Sequence, residues 1–225
     1  MYHSITINGK NTYTDYGLVP VSRPVVNPPG PDYTFLEIPG MSGSLDMSES
    51  LTGNIPYRNR TGSWEFHVEK RTDWQTLYST LLTDLHGQSV SCVLEDDPDY
   101  SYEGRISVNE WKSEKFNSRV VLEYSFFPFK LTEEVTHKLT CKTENANQGV
   151  SISAAAPYIS LTAVSEADSG MISYLHGSAS NPDYVLPLAK GENILPPLSL
   201  PDKKTTLIYF KGEGTVTIKT RRGFL

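Results

Sequence analysis

Nowhere in these 225 residues do apolar side chains run on for the roughly 18 positions that would suggest a membrane-spanning helix. The opening MYHSITINGKNTY has neither a basic start nor an apolar stretch, so no secretory signal is expected there. Cysteine is scarce. Cys92 and Cys141 stand far apart, each inside a strand-like run and without CxxC spacing, which fits free thiols in a reducing compartment rather than a disulfide framework. Positive charge is also in short supply: 20 Lys and Arg face 26 Asp and Glu, for a net charge of −6. The KTRR near the end (Lys219, Arg221, Arg222) is too short to gather phosphates, so sequence-independent nucleic-acid binding is not expected.

The motifs of chemistry are missing as well. His3, His67, His86, His137 and His176 show no HxH, HExxH or other paired spacing. No GxSxG, SxxK, P-loop or dinucleotide fingerprint appears, and the GEG of FKGEGTV reads as a turn. Asn59 in NRT has the form of a glycosylation acceptor without a route to secretion. We therefore assign no catalytic, cofactor-binding or metal-binding residue, and expect no enzyme and no cofactor.

One acidic knot needs weighing. Glu95, Asp96, Asp97 and Asp99 crowd around Pro98 between two strand-like runs. Catalytic carboxylates need separate environments, so that one holds a proton and the other does not. A calcium loop of the EF-hand kind needs a central Gly and a terminal Glu, and EDDPDYSYEGRI has neither. Asp and Pro favour turns, so a solvated hairpin tip is the expected reading. A glycosidase using Glu95 and Asp99 is the remote alternative. Tyr57, Tyr100, Tyr102 and Tyr184 are candidates for stacking on sugars.

What is present divides the chain in three. Seven of the fifteen prolines lie between Pro20 and Pro56, which points to extended segments and long loops over residues 20–62, laid over something else. From about residue 63 the pattern becomes regular. SWEFHVEK alternates, with Trp64, Phe66 and Val68 on one face. RTDWQTLYSTLLTDLHG then predicts a helix with a stripe of Trp74, Leu77, Tyr78, Leu81, Leu82 and Leu85. Thr72 and Gln75 would form its capping box, Asp73 would sit in its first turn and Gly87 would cap its end. QSVSCVLE, YEGRISV and SRVVLEYSFFPF follow as strands, the last with Val120, Leu122, Tyr124 and Phe126 on one face.

After Glu134 the sequence is all strand and turn: HKLTCKT, PYISLTAV, GMISYLHG and DYVLPLA, with TTLIYF-KGEG-TVTIKT expected as a hairpin. Short strands without helical period argue for a β-sandwich, with a domain boundary near residues 131–136. Charge divides at the same place. Up to Lys130 there are 11 Lys and Arg against 17 Asp and Glu; beyond it the count is 9 against 9.

The order of these features resembles a known family, the distal tail proteins of long-tailed, non-contractile bacteriophages (siphophages) and their prophages. The resemblance is carried by INGKNTYTDYGL, PGMSGSLD, GNIPYRNRTGSWEFHV, the helix, VSCVLEDDPDYSYEGRISV and GENILPP…TVTIKTRRGFL, in that order. It implies a mainly β fold with one α-helix. An N-terminal β-sandwich or α+β ring-forming domain would cover residues 1–132, including the proline-rich arm 20–62, and a C-terminal galectin-like β-sandwich would cover 133–225. It further implies a structural hub at the virion tail tip, assembled in the bacterial host cytoplasm: a homo-hexameric ring around a channel. Its implied partners are the tail tube protein, the tail-tip protein or tail-associated lysin, and as a further candidate a receptor-binding protein. On the same resemblance no membrane is expected to take part, and DNA would only pass through. The arm suits wrapping onto a neighbouring copy. Six copies would put about −36 on such a ring, a charge that repels DNA in transit. Longer relatives carry inserted carbohydrate-binding modules, for which the stretch after Glu134 has no room, so receptor recognition would fall to a separate adhesin. The alternative from another class is a carbohydrate-binding β-sandwich protein for host cell-surface recognition.

Overall fold

The computed structural model describes residues 3–50, 55–69, 73–112, 118–144, 146–152, 156–166, 168, 170–176, 184–199 and 206–225. It is mainly β with a single helix among the described residues, as the sequence predicts. The chain divides into two compact units, Met1–Lys130 and Leu131–Phe224.

The first unit begins with β1 (Ile5–Ile7) and β2 (Lys10–Asn11), a hairpin whose two-residue turn is Asn8-Gly9. Both turn residues have positive φ, 49° and 81°, which a type I′ turn demands and Asn-Gly supplies. The other elements are β3 (Leu18–Pro20), β4 (Phe35–Glu37), β5 (Ser44–Asp46), β6 (Arg60–Val68), α1 (Trp74–Asp84), β7 (Ser89–Leu94), β8 (Asp97–Lys112) and β9 (Arg119–Phe126). Seven of these strands form one antiparallel sheet in the order β2-β1-β7-β8-β9-β6-β3. Alternation sorts its side chains. Trp64 and Phe66 of β6, Val90, Cys92 and Leu94 of β7, and Val120, Leu122, Tyr124 and Phe126 of β9 all enter one core.

The helix closes that core with Leu77 and Leu81, joined by Leu85 just past its end, while Tyr78 and Leu82 pack at its edge. Three details depart from expectation. Trp74 is 43% exposed, because at the first helical position it leans on Trp111 (ring centroids 6.3 Å apart) instead of reaching the core. Asp73 is the N-cap itself, accepting from the Gln75 N–H at 3.2 Å and the Thr76 hydroxyl at 2.9 Å; Thr72 lies outside the described residues. Gly87 (φ +72°) stands two residues beyond the cap Leu85, and its N–H has already turned to the Ile106 carbonyl of β8 at 2.7 Å.

Strand β10 (Lys130–Leu131) lies where the two units meet in sequence. The second unit contains β11 (Val135–Cys141), β12 (Asn147–Ile152), β13 (Tyr158–Ser165), β14 (Gly170–His176), β15 (Tyr184–Leu188), β16 (Gly191–Ser199), β17 (Thr206–Gly212) and β18 (Gly214–Phe224). They make two antiparallel sheets, β16-β13-β18-β11 and β12-β17-β14-β15. Leu139, Ile159, Leu161, Leu195, Val216 and Ile218 of the first share a core with Ile172, Tyr174, Leu188, Ile208 and Phe210 of the second, which makes the unit a sandwich. The expected hairpin of TTLIYF and TVTIKT is not formed: β17 and β18 lie in different sheets. The KGEG segment is a crossover, with Gly212 and Gly214 at φ 146° and 116° turning the chain from one layer to the other. Pro196 and Pro197 sit in β16, at an edge where missing donors cost least, opposite the register shift between Ile159 and Leu161.

Candidate assembly surface

The proline-rich segment has a root, a stem and a tip. The root is fixed on the sheet. Val21 N–H donates to the Glu65 carbonyl at 2.9 Å, and Trp64 Nε1 donates to the Val25 carbonyl at 2.9 Å. Asn27 N–H donates to the Tyr124 hydroxyl at 3.0 Å, and Val26 is buried between them. Arg60, also buried, donates through Nε to the Pro128 carbonyl at 2.7 Å and through Nη1 to the Asn27 carbonyl at 3.2 Å. The stem is a pair of backbone bonds of 2.8 Å each, Asp32 N–H to Pro56 and Arg58 N–H to Gly30, braced by the Arg58–Asp32 ion pair.

Beyond the stem stands the hairpin β4–β5. Its turn is Ile38-Pro39-Gly40-Met41, closed by the Met41 N–H on the Ile38 carbonyl at 3.0 Å. Pro39 followed by Gly40 at φ +85° is the arrangement a type II turn requires. Leu36 faces Leu45 across the ladder, so with Ile38 and Met47 one side of the hairpin is apolar. Tyr33 and Phe35, with ring centroids 6.1 Å apart, share the other side with Glu37 and Asp46. All six strand residues are exposed; Phe35 is 57% and Leu36 51% accessible. An isolated two-stranded hairpin is marginal in water, and a contiguous apolar patch on an extension marks a contact surface. The signal was present in the sequence as TFLEI and SLDM around PGMSG, but proline density hid it.

The acidic knot is a hairpin tip, as expected, though a shorter one: Glu95 and Asp96 alone make the turn, and Asp97 and Asp99 already belong to β8. It also acts as a clasp. Glu95 accepts from the Ser4 N–H at 2.7 Å. Asp96 accepts from Arg23 Nε at 2.8 Å and meets His3 Nδ1 at 2.9 Å, and these partners, Arg23 first, hold its carboxyl below the usual carboxylate range. Asp97 pairs with Lys130 at 2.8 Å, whose ammonium lies 4.0 Å from the Tyr100 ring centroid. These carboxylates tie the N-terminus, the root of the arm and the end of the unit to one turn. The pair Glu95 and Asp99 is not brought together around a cleft: Glu95 faces Ser4 and Asp99 is exposed.

The remaining candidates have structural employment. His86 Nδ1 accepts from the Val108 N–H at 3.1 Å. Tyr102 is buried rather than exposed, and burial raises its hydroxyl pKa; Tyr57 packs edge-on against Phe129. The side chains of His176 and Tyr184 lie outside the described residues. Cys92 and Cys141 are free and buried, and burial pushes the Cys92 thiol upward. Among the described residues no three His, Cys, Asp or Glu side chains gather as a metal ion would need.

The arrangement is thus that of a two-unit, mainly β protein that presents an apolar hairpin on a fixed stem. No family model matches the sequence. No curated protein matches it. Among solved structures, the fold is similar to that of SPP1 Dit (gp 19.1), described as a paradigm of hub adsorption apparatus in Gram-positive infecting phages. The two align over 100% of both chains with a TM-score of 0.60 and 16% sequence identity, a likeness of fold.

Proposed function

We propose that this chain is a structural hub of a bacteriophage tail tip, a hexameric ring built by the first unit with the second hanging outside as a galectin-like domain. The ring would join the tail tube protein to the tail-tip protein or tail-associated lysin and leave a channel for DNA. The observation that carries this reading is the likeness of fold to a phage hub protein over the full length of both chains. The exposed hairpin supports it, because an apolar tip on a braced stem stabilises an assembly and burdens a monomer. So does the use of the acidic turn as a clasp, which leaves its carboxylates engaged with cations and backbone. Light scattering on the eluting protein should give a mass near six times 25.1 kDa, and negative-stain images should show rings with a central hole. A stable monomer at high concentration would remove the ring, and with it the hub.

A further inference from the structure

The hairpin has no cover within the described residues of its own unit, and the same unit carries a matching recess. On the face of β6, β9 and β8 opposite the core lies a trough of about 640 Å³, within the size range of pockets that receive ligands. Thr61, Ser63, Ser107 and Ser125 line it with short side chains, and Gly87 opens one end. Two charges stand there. Glu123 is held by Asn109 Nδ2, and Arg105 is exposed, spending one donor on the Gly87 carbonyl at 2.7 Å.

Charge selects the occupant. From Pro24 to Tyr57 the chain carries Asp32, Glu37, Asp46 and Glu49 and no Lys or Arg. Lys10, Arg23, Arg58, Lys112, Arg119 and Lys130 are each paired with a carboxylate of their own unit. Among the described cations of this unit that leaves buried Arg60 and exposed Arg105, so Arg105 is the place where an acid from outside is favoured. A closed ring needs two unlike, complementary surfaces on one chain.

We propose that the β4–β5 hairpin of one copy docks in the β6–β9–β8 trough of the next, with the Leu36–Leu45 side entering and the uncompensated acidic charge of the segment drawing it toward Arg105. The proposal rests on the ring reading and specifies its contact as head-to-tail. Two variants of the full chain test it: Leu36→Asp with Leu45→Asp, which spoils the hairpin, and Ser63→Trp, which fills the trough from an exposed position. Each alone should elute as a monomer with unchanged circular dichroism. Mixed in equal amounts they should form a dimer and nothing larger, because one intact hairpin then meets one intact trough. Arg105→Glu stands in for Ser63→Trp should that variant lose its fold. Assembly of the hairpin variant at the wild-type mass, or a mixture that stays monomeric, overturns the proposal while leaving a wild-type ring standing. A monomeric wild type instead overturns the ring reading beneath it.

Discussion

Leu81 is fully buried, and it is the position in α1 where the helix contributes most to the first core. Its neighbours Leu77 and Leu85 are buried with it, so removing its isobutyl group leaves a cavity that the surrounding sheet cannot easily fill. Leu81→Ala should therefore destabilise the protein by about 2–5 kcal/mol, visible as a lowered thermal midpoint. Trp74, four residues before Tyr78 on the same helix, belongs to a different class. Half in solvent against Trp111, it can be shortened at much smaller cost. An unchanged midpoint for Leu81→Ala would mean that the helix packs by another face. The two residues read alike in a periodicity count. What separates them is the helix end: at the first helical position Trp74 rests on Trp111 near the end of β8, and no i, i+3, i+4 pattern reports where the opposing layer stops.

The same limit governs the elements. Strands with a buried face were legible because their side chains alternate, as Val120, Leu122, Tyr124 and Phe126 do. The helix was legible because six apolar residues repeat at its period. Pairing was not. TTLIYF and TVTIKT look like a hairpin because a glycine-containing loop joins them, yet each alternates equally well in a sandwich whose layers they divide between them. The candidate surface was half legible: proline density marked the arm, but its fixed root and exposed tip differ only in tertiary contacts, which composition does not carry. The clasp at Asp96 was invisible, since His3 and Arg23 lie 93 and 73 residues away. Its consequence is a pH dependence. Arg23 and His3 hold the Asp96 carboxyl below its ordinary value, so the stabilisation is fully present above the ordinary carboxylate pKa of about 4 and is lost as pH falls through the depressed one. Asp96→Asn should lower the thermal midpoint at about pH 5, and the gap should narrow as the pH is lowered through the depressed carboxyl value. Hydrogen exchange at Val21–Asn27 should follow the same course. A gap between wild type and variant that persists unchanged at the lower pH would show that the clasp acts through shape and not charge.

At the scale of the molecule the two units divide the labour. The first holds all of the net charge, the hairpin and the trough; the second has equal numbers of acids and bases and a core made only from its own residues, Leu139 to Ile218. Its two sheets exchange side chains from every strand but depend on none from the first unit for that core, and Arg221 and Thr132 tie its last strand to its first residues at 2.9 Å. Residues 131–225 alone should thus fold as a monomer with a single cooperative melting transition. On the proposed reading this unit is a peripheral docking module, and adhesion belongs to another protein. The isolated sandwich should then bind host cell-wall polysaccharide more weakly than about 1 mM, close to −4 kcal/mol, in calorimetry or on a glycan array. Micromolar affinity would move receptor recognition onto this chain, and the carbohydrate-binding alternative would take the place of a hub that only connects.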